Sequence, residues 1–144
     1  MTLSIMIVDD NAADRYLLKR RLQKTDLDFD VIEAENGAAA LEVFSDYQTK
    51  RDVDPETYPP LFVFLDINMP ILDGFGFLSA FHHVSAAPDF APPTVVMFTS
   101  SGRQEDKDRS LHWDFVKEYI VKGDFSSAKL KELLQAHVST FEAA

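Results

Sequence analysis

The chain predicts an α/β fold, a doubly wound five-stranded parallel sheet with helices on both faces. Five short apolar runs alternate with helical patterns along 144 residues, the order that gives parallel strands joined by right-handed crossovers. Three of those runs (Ser4–Val8, Leu61–Leu65 and Thr94–Thr99) are almost continuously apolar, as befits strands buried on both faces. Polar residues then stand at the run ends: Asp9 and Asp10 after the first, Asp66 after the third, Thr99 closing the fourth and Lys122 after the fifth.

Taken in order, strand one is expected at Ser4–Val8. The first helix, Ala12–Lys24, places Leu17, Leu18 and Leu22 on one side and its basic residues on the other. Strand two spans Asp30–Ala34, and helix two, Gly37–Asp46, carries Ala38, Leu41 and Phe44 at helical spacing. A polar, proline-bearing stretch, Tyr47–Pro60, is long for an αβ connection. Strand three, Leu61–Leu65, precedes helix three at Gly74–Val84. A second proline-bearing stretch, Ser85–Pro93, leads to strand four at Thr94–Thr99. Helix four, Gln104–Trp113, is followed by strand five at Glu118–Val121. Helix five, Ser126–Phe141, shows Leu130, Leu133, Leu134, His137 and Val138 on one stripe. Both long stretches enter strand N-termini, so they are expected at the sheet edge opposite the carboxylates. No repeat or low-complexity tract is present, and residues 1–144 read as one domain with no output module.

Composition narrows the function. At this length folding buries roughly 68–70% of the extended-chain surface, enough for a core. Hydrophobic content of 46% with 26% charged residues suits a soluble globular chain. The absence of cysteine excludes disulfides, thiol chemistry and thiolate metal sites. No basic leader followed by an apolar stretch opens the chain, and no run approaches the ~20 apolar residues that span a bilayer. The expectation is a cytoplasmic protein without membrane contact. A net charge of −10 argues against nucleic acid as a partner. Arg15, Lys19, Arg20, Arg21 and Lys24 nevertheless crowd the first helix, either as a solvated face or as a docking surface for an acidic partner.

Ligands of open parallel α/β sheets sit in the crevice outside the C-terminal strand ends. The topology therefore converges Asp9, Asp10 and Asp66 with Thr99 and Lys122 from more than a hundred residues of chain. Carboxylates that close raise one another's pKa unless positive charge lies among them. The implied object is a divalent cation held by oxygens, with one carboxylate free for chemistry. Singly, each residue has an ordinary reading: Asp10 as a helix cap, Asp66 as the start of a loop, Thr99 as a strand former, Lys122 as a solvated lysine, Tyr119 as static core. Five such coincidences spread over four strand ends are a poor explanation. His82, His83, His112 and His137 show no metal spacing.

These residues resemble the receiver domain of two-component response regulators, the family that includes the bacterial chemotaxis regulator. The resemblance lies in Val8-Asp9-Asp10, Leu65-Asp66-Ile67-Asn68-Met69-Pro70 with Asp73-Gly74, Phe98-Thr99-Ser100, and Tyr119-Ile120-Val121-Lys122. It covers essentially the whole chain and implies a flavodoxin-like strand order 2-1-3-4-5. It also implies roles. Asp66 is the phosphoacceptor nucleophile, attacking a phosphohistidine phosphorus to form an acyl phosphate. Asp10 and Asp66 bind Mg²⁺ directly, Asp9 acts mostly through water, and the Asn68 backbone carbonyl completes the protein ligands. Lys122 pairs with a phosphoryl oxygen and the Asp66 carboxylate, Thr99 hydrogen-bonds the phosphoryl group, and Tyr119 swings inward when Thr99 moves. The partners so implied are a sensor histidine kinase or histidine phosphotransfer protein and a downstream protein target. Gly123 departs from the proline usual after the lysine. With the long stretch before strand three, it resembles small stand-alone receivers that serve phytochrome-type sensor kinases.

The expected function is a non-enzymatic phosphorylation switch acting through the face of helix four, strand five and helix five. Passing the phosphoryl group on to a histidine phosphotransfer protein is the alternative. An isologous homodimer through Trp113, Phe115, Val116 and Tyr119 is a further expectation. An Asp-dependent phosphatase of the haloacid-dehalogenase type needs an acid two residues after the nucleophile, where this chain has Asn68. A flavodoxin-like flavin protein wants a hydroxyl-rich phosphate cradle after strand one, and Asp9 with Asp10 would repel the phosphate. A receiver that has lost phosphotransfer is opposed by the complete acid, Thr and Lys set.

Overall fold

The computed structural model describes residues 2–45, 60–84 and 93–143. Five parallel strands form one sheet: β1 Leu3–Val8, β2 Phe29–Ala34, β3 Phe62–Leu65, β4 Thr94–Thr99 and β5 Val116–Val121. Their spatial order is β2-β1-β3-β4-β5, as the sequence predicts. Five helices alternate with them: α1 Ala12–Gln23, α2 Gly37–Ser45, α3 Gly74–Val84, α4 Gln104–Leu111 and α5 Ser127–Ala143. The two long proline-bearing stretches fall almost entirely outside the described residues, as does Asp46.

Side chains alternate across each strand, and this divides the core in two. Met6, Val8, Val63, Leu65, Val95 and Met97 face one layer with Ala40, Phe44, Phe77, Leu78 and Phe81 of α2 and α3. Leu3, Ile5, Ile7, Phe62, Phe64, Val96 and Phe98 face the other, with Leu18 and Leu22 of α1 and Leu130 and Leu134 of α5. Phe81 anchors the first layer, meeting Phe44 edge-on, stacking on Phe77 and touching Phe115. Burial of both faces explains why β1, β3 and β4 lack polar alternation.

Local chemistry sets several boundaries differently from expectation. Asn11, not Asp10, caps α1: its side chain accepts the Asp14 backbone N–H at 3.0 Å, which leaves the Asp10 carboxylate outside the helix. Leu17 is 53% exposed rather than on the buried stripe with Leu18 and Leu22, because the narrow contact of a short helix accommodates only residues four apart. The Ser126 hydroxyl accepts the Lys129 N–H, so the residue read as the start of helix five acts as its cap. Helix α4 stops at Leu111, two residues early. The Trp113 N–H turns back to the Ser110 carbonyl and the Val116 N–H to Trp113, a tight corner that starts β5 two residues sooner than expected. A register shift between Val95 and Val96 accommodates that earlier start.

The same corner corrects the expected apolar surface patch. Phe115 and Val116 are buried core residues, Trp113 stacks on Phe115 with an interplanar angle of 20°, and Tyr119 packs partly against the same layer. These side chains serve the fold, Phe115 and Val116 as buried residues and Trp113 and Tyr119 as partly buried ones. His137 lies 3.6 Å from Glu118 across α5 and β5.

Gly74 fixes the loop that follows β3. Its N–H donates to the Ile67 carbonyl at 2.8 Å, and a Cβ there would stand 2.3 Å from the Asp66 carbonyl oxygen and 2.9 Å from Ile67 Cα. Both obstacles are backbone, so no side-chain rotation relieves them. Gly74→Ala is therefore expected to destabilise the protein by about 1–3 kcal/mol, the usual cost of overpacking. A lowered urea midpoint with an unchanged slope checks this, and an unaltered midpoint would mean that the loop is not fixed by this contact.

Candidate functional site

Strand register assembles the site. Val8 pairs with Leu65 across β1 and β3, so the residues that follow, Asp9 and Asp66, leave the sheet side by side. The Asp9 N–H donates to the Ala34 carbonyl and the Asp66 N–H to the Val8 carbonyl, each at 3.0 Å, extending the ladder one step beyond the strands. Thr99 pairs with Val121, which places Lys122 just beyond Thr99 on the neighbouring strand.

Asp9, Asp10 and Asp66 each offer a carboxylate oxygen, and these oxygens lie within 4.8 Å of one another. Asp9 and Asp66 are buried and Asp10 is exposed. Burial pushes the Asp9 carboxyl above its ordinary pKa; hydrogen bonds from Lys122 and the Asn11 N–H oppose that shift, while the Asp66 charge adds to it. The Asn11 N–H reaches Asp9 Oδ1 at 2.9 Å, and Arg15 Nη1 donates to the Asp9 backbone carbonyl at 2.7 Å. Asp66 Oδ1 accepts the Ile67 N–H at 2.7 Å. That bond fixes one carboxylate oxygen and leaves Oδ2 toward the crevice.

Lys122 supplies the counter-charge. Its Nζ lies 2.7 Å from Asp9 Oδ2, 2.9 Å from Asp14 Oδ2 and 3.2 Å from Asp66 Oδ2. Burial works against its charge, yet the bonds it donates to Asp9 and Asp14 and the charges of Asp66 and Asp9 hold its pKa well above the ordinary lysine value. It is a fixed cation at any physiological pH. Asp14 is the residue that sequence reasoning missed: an acid in the first turn of a helix reads as a partner of the helix dipole, and nothing in the spacing ties it to Lys122.

Thr99 is fully buried, and its Oγ1 accepts the Ser101 N–H at 3.3 Å. Tyr119 reaches the same loop from β5, its hydroxyl donating to the Ser101 carbonyl at 2.8 Å. Ser101 in turn donates its hydroxyl to Asp106 of α4 at 2.5 Å. Thr99 and Tyr119, expected to communicate, are thus bonded to one residue that is also tied to α4. Asn68 is exposed, two residues beyond Asp66. The basic residues of α1 separate into two sets. Arg15 and Lys19 are paired with Glu33 at 3.0 Å each and Arg21 donates to the Phe125 carbonyl, whereas Arg20 and Lys24 are exposed.

The donor set is carboxylate oxygen only, grouped tightly enough to hold one small hard cation. Magnesium fits it. No described helix is long and apolar enough to cross a membrane.

Comparison with known proteins agrees with this geometry. The response regulator receiver domain family matches residues 5–135. The chain is 33% identical to the probable transcriptional regulator ycf27 of Pyropia yezoensis over 92% of its own length and 46% of that protein's, so it spans about half of that relative. It is 30% identical to response regulator Rcp1 of Synechocystis, covering 91% of this chain and 81% of Rcp1. In fold it resembles the Mg²⁺-complexed receiver domain of the histidine kinase CKI1 of Arabidopsis thaliana, with a TM-score of 0.74, 18% identity, and coverage of 92% and 91% of the two chains. Strand order, strand-end chemistry and the family match coincide: the chain belongs to the response regulator receiver domain family of two-component systems.

Proposed function

We propose that Asp66 accepts a phosphoryl group from a phosphohistidine in a Mg²⁺-dependent transfer, and that the acyl phosphate resets a partner-binding face made by α4, β5 and α5. The observation that carries this reading is the position of the Asp66 carboxylate, with one oxygen within 4.8 Å of Asp9 and Asp10 oxygens and Oδ2 3.2 Å from the Lys122 ammonium. In the transfer an Asp66 oxygen forms a bond to phosphorus as the phosphorus–nitrogen bond breaks, and the electron pair returns to the imidazole of the donor. Asp9, Asp10, Asp66 and the Asn68 carbonyl would hold the cation, which when bound supplies positive charge to the transferring oxygens. Lys122 would neutralise a further phosphoryl oxygen. The Ile67 N–H, by holding Asp66 Oδ1, orients the nucleophilic oxygen.

The signal route starts at Thr99. A phosphoryl group brings about −1.5 to −2 charges and strong acceptor oxygens. Thr99 would give up Ser101 to donate to one of them, disturbing the Ser101 loop that Tyr119 and Asp106 hold. Tyr119 then turns inward, and the outer face changes. The Lys122-Gly123 pair and the long stretch before β3 support a sensor kinase of the phytochrome type as donor. Transfer onward to a histidine phosphotransfer protein would use the same chemistry in reverse.

Three outcomes test the proposal. Incubation with a small phosphodonor and Mg²⁺ should add one phosphoryl group by intact mass, and Asp66→Asn should abolish the addition; a labelled mutant would place the nucleophile elsewhere. Mg²⁺ should raise the melting temperature, by the equivalent of about 2.7 kcal/mol at a hundredfold excess over its dissociation constant. Asp10→Ala should remove most of that response, and an undiminished response would remove Asp10 from the ligand set. Thr99→Ala should still accept phosphate while losing any phosphate-dependent partner binding. Wild-type switching in that variant would route the signal around Thr99.

A further inference from the structure

An ammonium has three N–H donors, and Lys122 directs all of them at carboxylates: Asp9, Asp14 and Asp66. A phosphoryl group on Asp66 takes over the donor that Asp66 Oδ2 now holds, and any second contact to it must draw a donor from Asp9 or Asp14. The partners are not equivalent. The Asp9 side chain is 3% exposed, so losing its cation would leave a buried carboxylate uncompensated, a costly state. Asp14 is different. Its side chain is 35% exposed, water can replace the ammonium there, and it stands outside the trio whose oxygens could share a cation. Its backbone is fixed by the Asn11 cap, so its carboxylate meets Lys122 from a set direction. Complementing the helix dipole explains an acid at this position, but it does not require a 2.9 Å contact to a residue 108 positions away.

We propose that Asp14 is a positioning residue that restrains Lys122, holding part of its ammonium away from any anion carried on Asp66. The inference rests on the phosphoacceptor reading above and deepens it: Asp14 tunes how firmly a phosphoryl group on Asp66 is bound. Its bond to Lys122 is the one released when that group arrives.

Beryllofluoride with Mg²⁺, a tetrahedral stand-in for a phosphoryl group on a carboxylate, provides an equilibrium readout by ¹⁹F NMR. Asp14→Asn keeps the side-chain shape and removes the charge. It should tighten beryllofluoride binding roughly threefold to tenfold, the worth of a charged hydrogen bond reduced for a partly exposed partner. Asp14→Glu, which keeps a carboxylate within reach of Lys122, should stay close to wild type. In a Lys122→Met background, weaker overall, adding Asp14→Asn should change nothing. An unchanged or weakened affinity in Asp14→Asn would overturn the restraint. So would an equal gain in the Lys122→Met background, because the effect would then be charge at a distance. A wild-type protein that takes up no beryllofluoride would sink the phosphoacceptor reading, and the restraint with it; uptake without an Asp14→Asn gain sinks the restraint alone.

Discussion

Crowding of carboxylates at one sheet edge is the constraint on which the rest of this structure turns. Two unit charges about 5 Å apart repel by about 3 kcal/mol at an effective dielectric near 20, and Asp9, Asp10 and Asp66 place their nearest oxygens within 4.8 Å. Parallel topology leaves them little freedom to separate, because β1 and β3 are adjacent and Val8 pairs with Leu65. The Lys122 ammonium answers that repulsion from the far side of β4. It can do so only because β5 pairs Val121 with Thr99 and so delivers Lys122 one residue beyond it. Sheet order, strand register and site electrostatics are thus one problem with one solution. The unfavourable burial of Asp9 persists because the surrounding core over-determines where its backbone must lie.

The sequence showed this edge well because strand ends are easy to read. Continuous apolar runs bounded by Asp, Thr or Lys mark both the strand and the residue that leaves it, and β4 and α3 have the boundaries the sequence suggests. Legibility failed where a tertiary contact chose between local options. Asn11 and Asp10 are both good caps, and only the fold decides that Asn11 caps while Asp10 faces the crevice. Leu17 fits the helical stripe as well as Leu18, yet the single contact line of α1 against β1 and β3 has no room for it. The run from Trp113 to Tyr119 reads as surplus apolar surface until the turn from Ser110 folds Phe115 and Val116 inward. Asp14 was unreadable in principle, since its partner lies 108 residues away and periodicity carries no information about such pairs.

A second convergence lies at Ser101. Its N–H, carbonyl and hydroxyl are each engaged, by Thr99, Tyr119 and Asp106 in turn. A buried threonine, an edge-strand tyrosine and a helix are therefore bonded to one three-atom hub. Movement of Thr99 toward a new acceptor cannot leave the hub unchanged, because Thr99 Oγ1 is the acceptor for its N–H. Under the proposed phosphorylation, this hub would be where a local charge becomes a change of surface. Its leverage is bounded by the difference in binding between the two arrangements; shifting a population from 1:99 to 99:1 takes about 5.5 kcal/mol.

Charge also dictates an order of events. Asp9, Asp10, Asp14 and Asp66 set against Lys122 leave the cluster three charges negative. A phosphorylated donor is itself anionic, so its approach to this cluster alone is opposed. A divalent cation among the Asp9, Asp10 and Asp66 oxygens would cut that excess to one. Under the phosphoacceptor reading, cation first and phosphoryl group second is then the favourable sequence, and the Lys122 bond to Asp66 would pass to a phosphoryl oxygen only after both. The same logic makes Asp14 the natural place for the ammonium to be held in the meantime: it is the one acid of the four that neither shares the cation site nor lies buried.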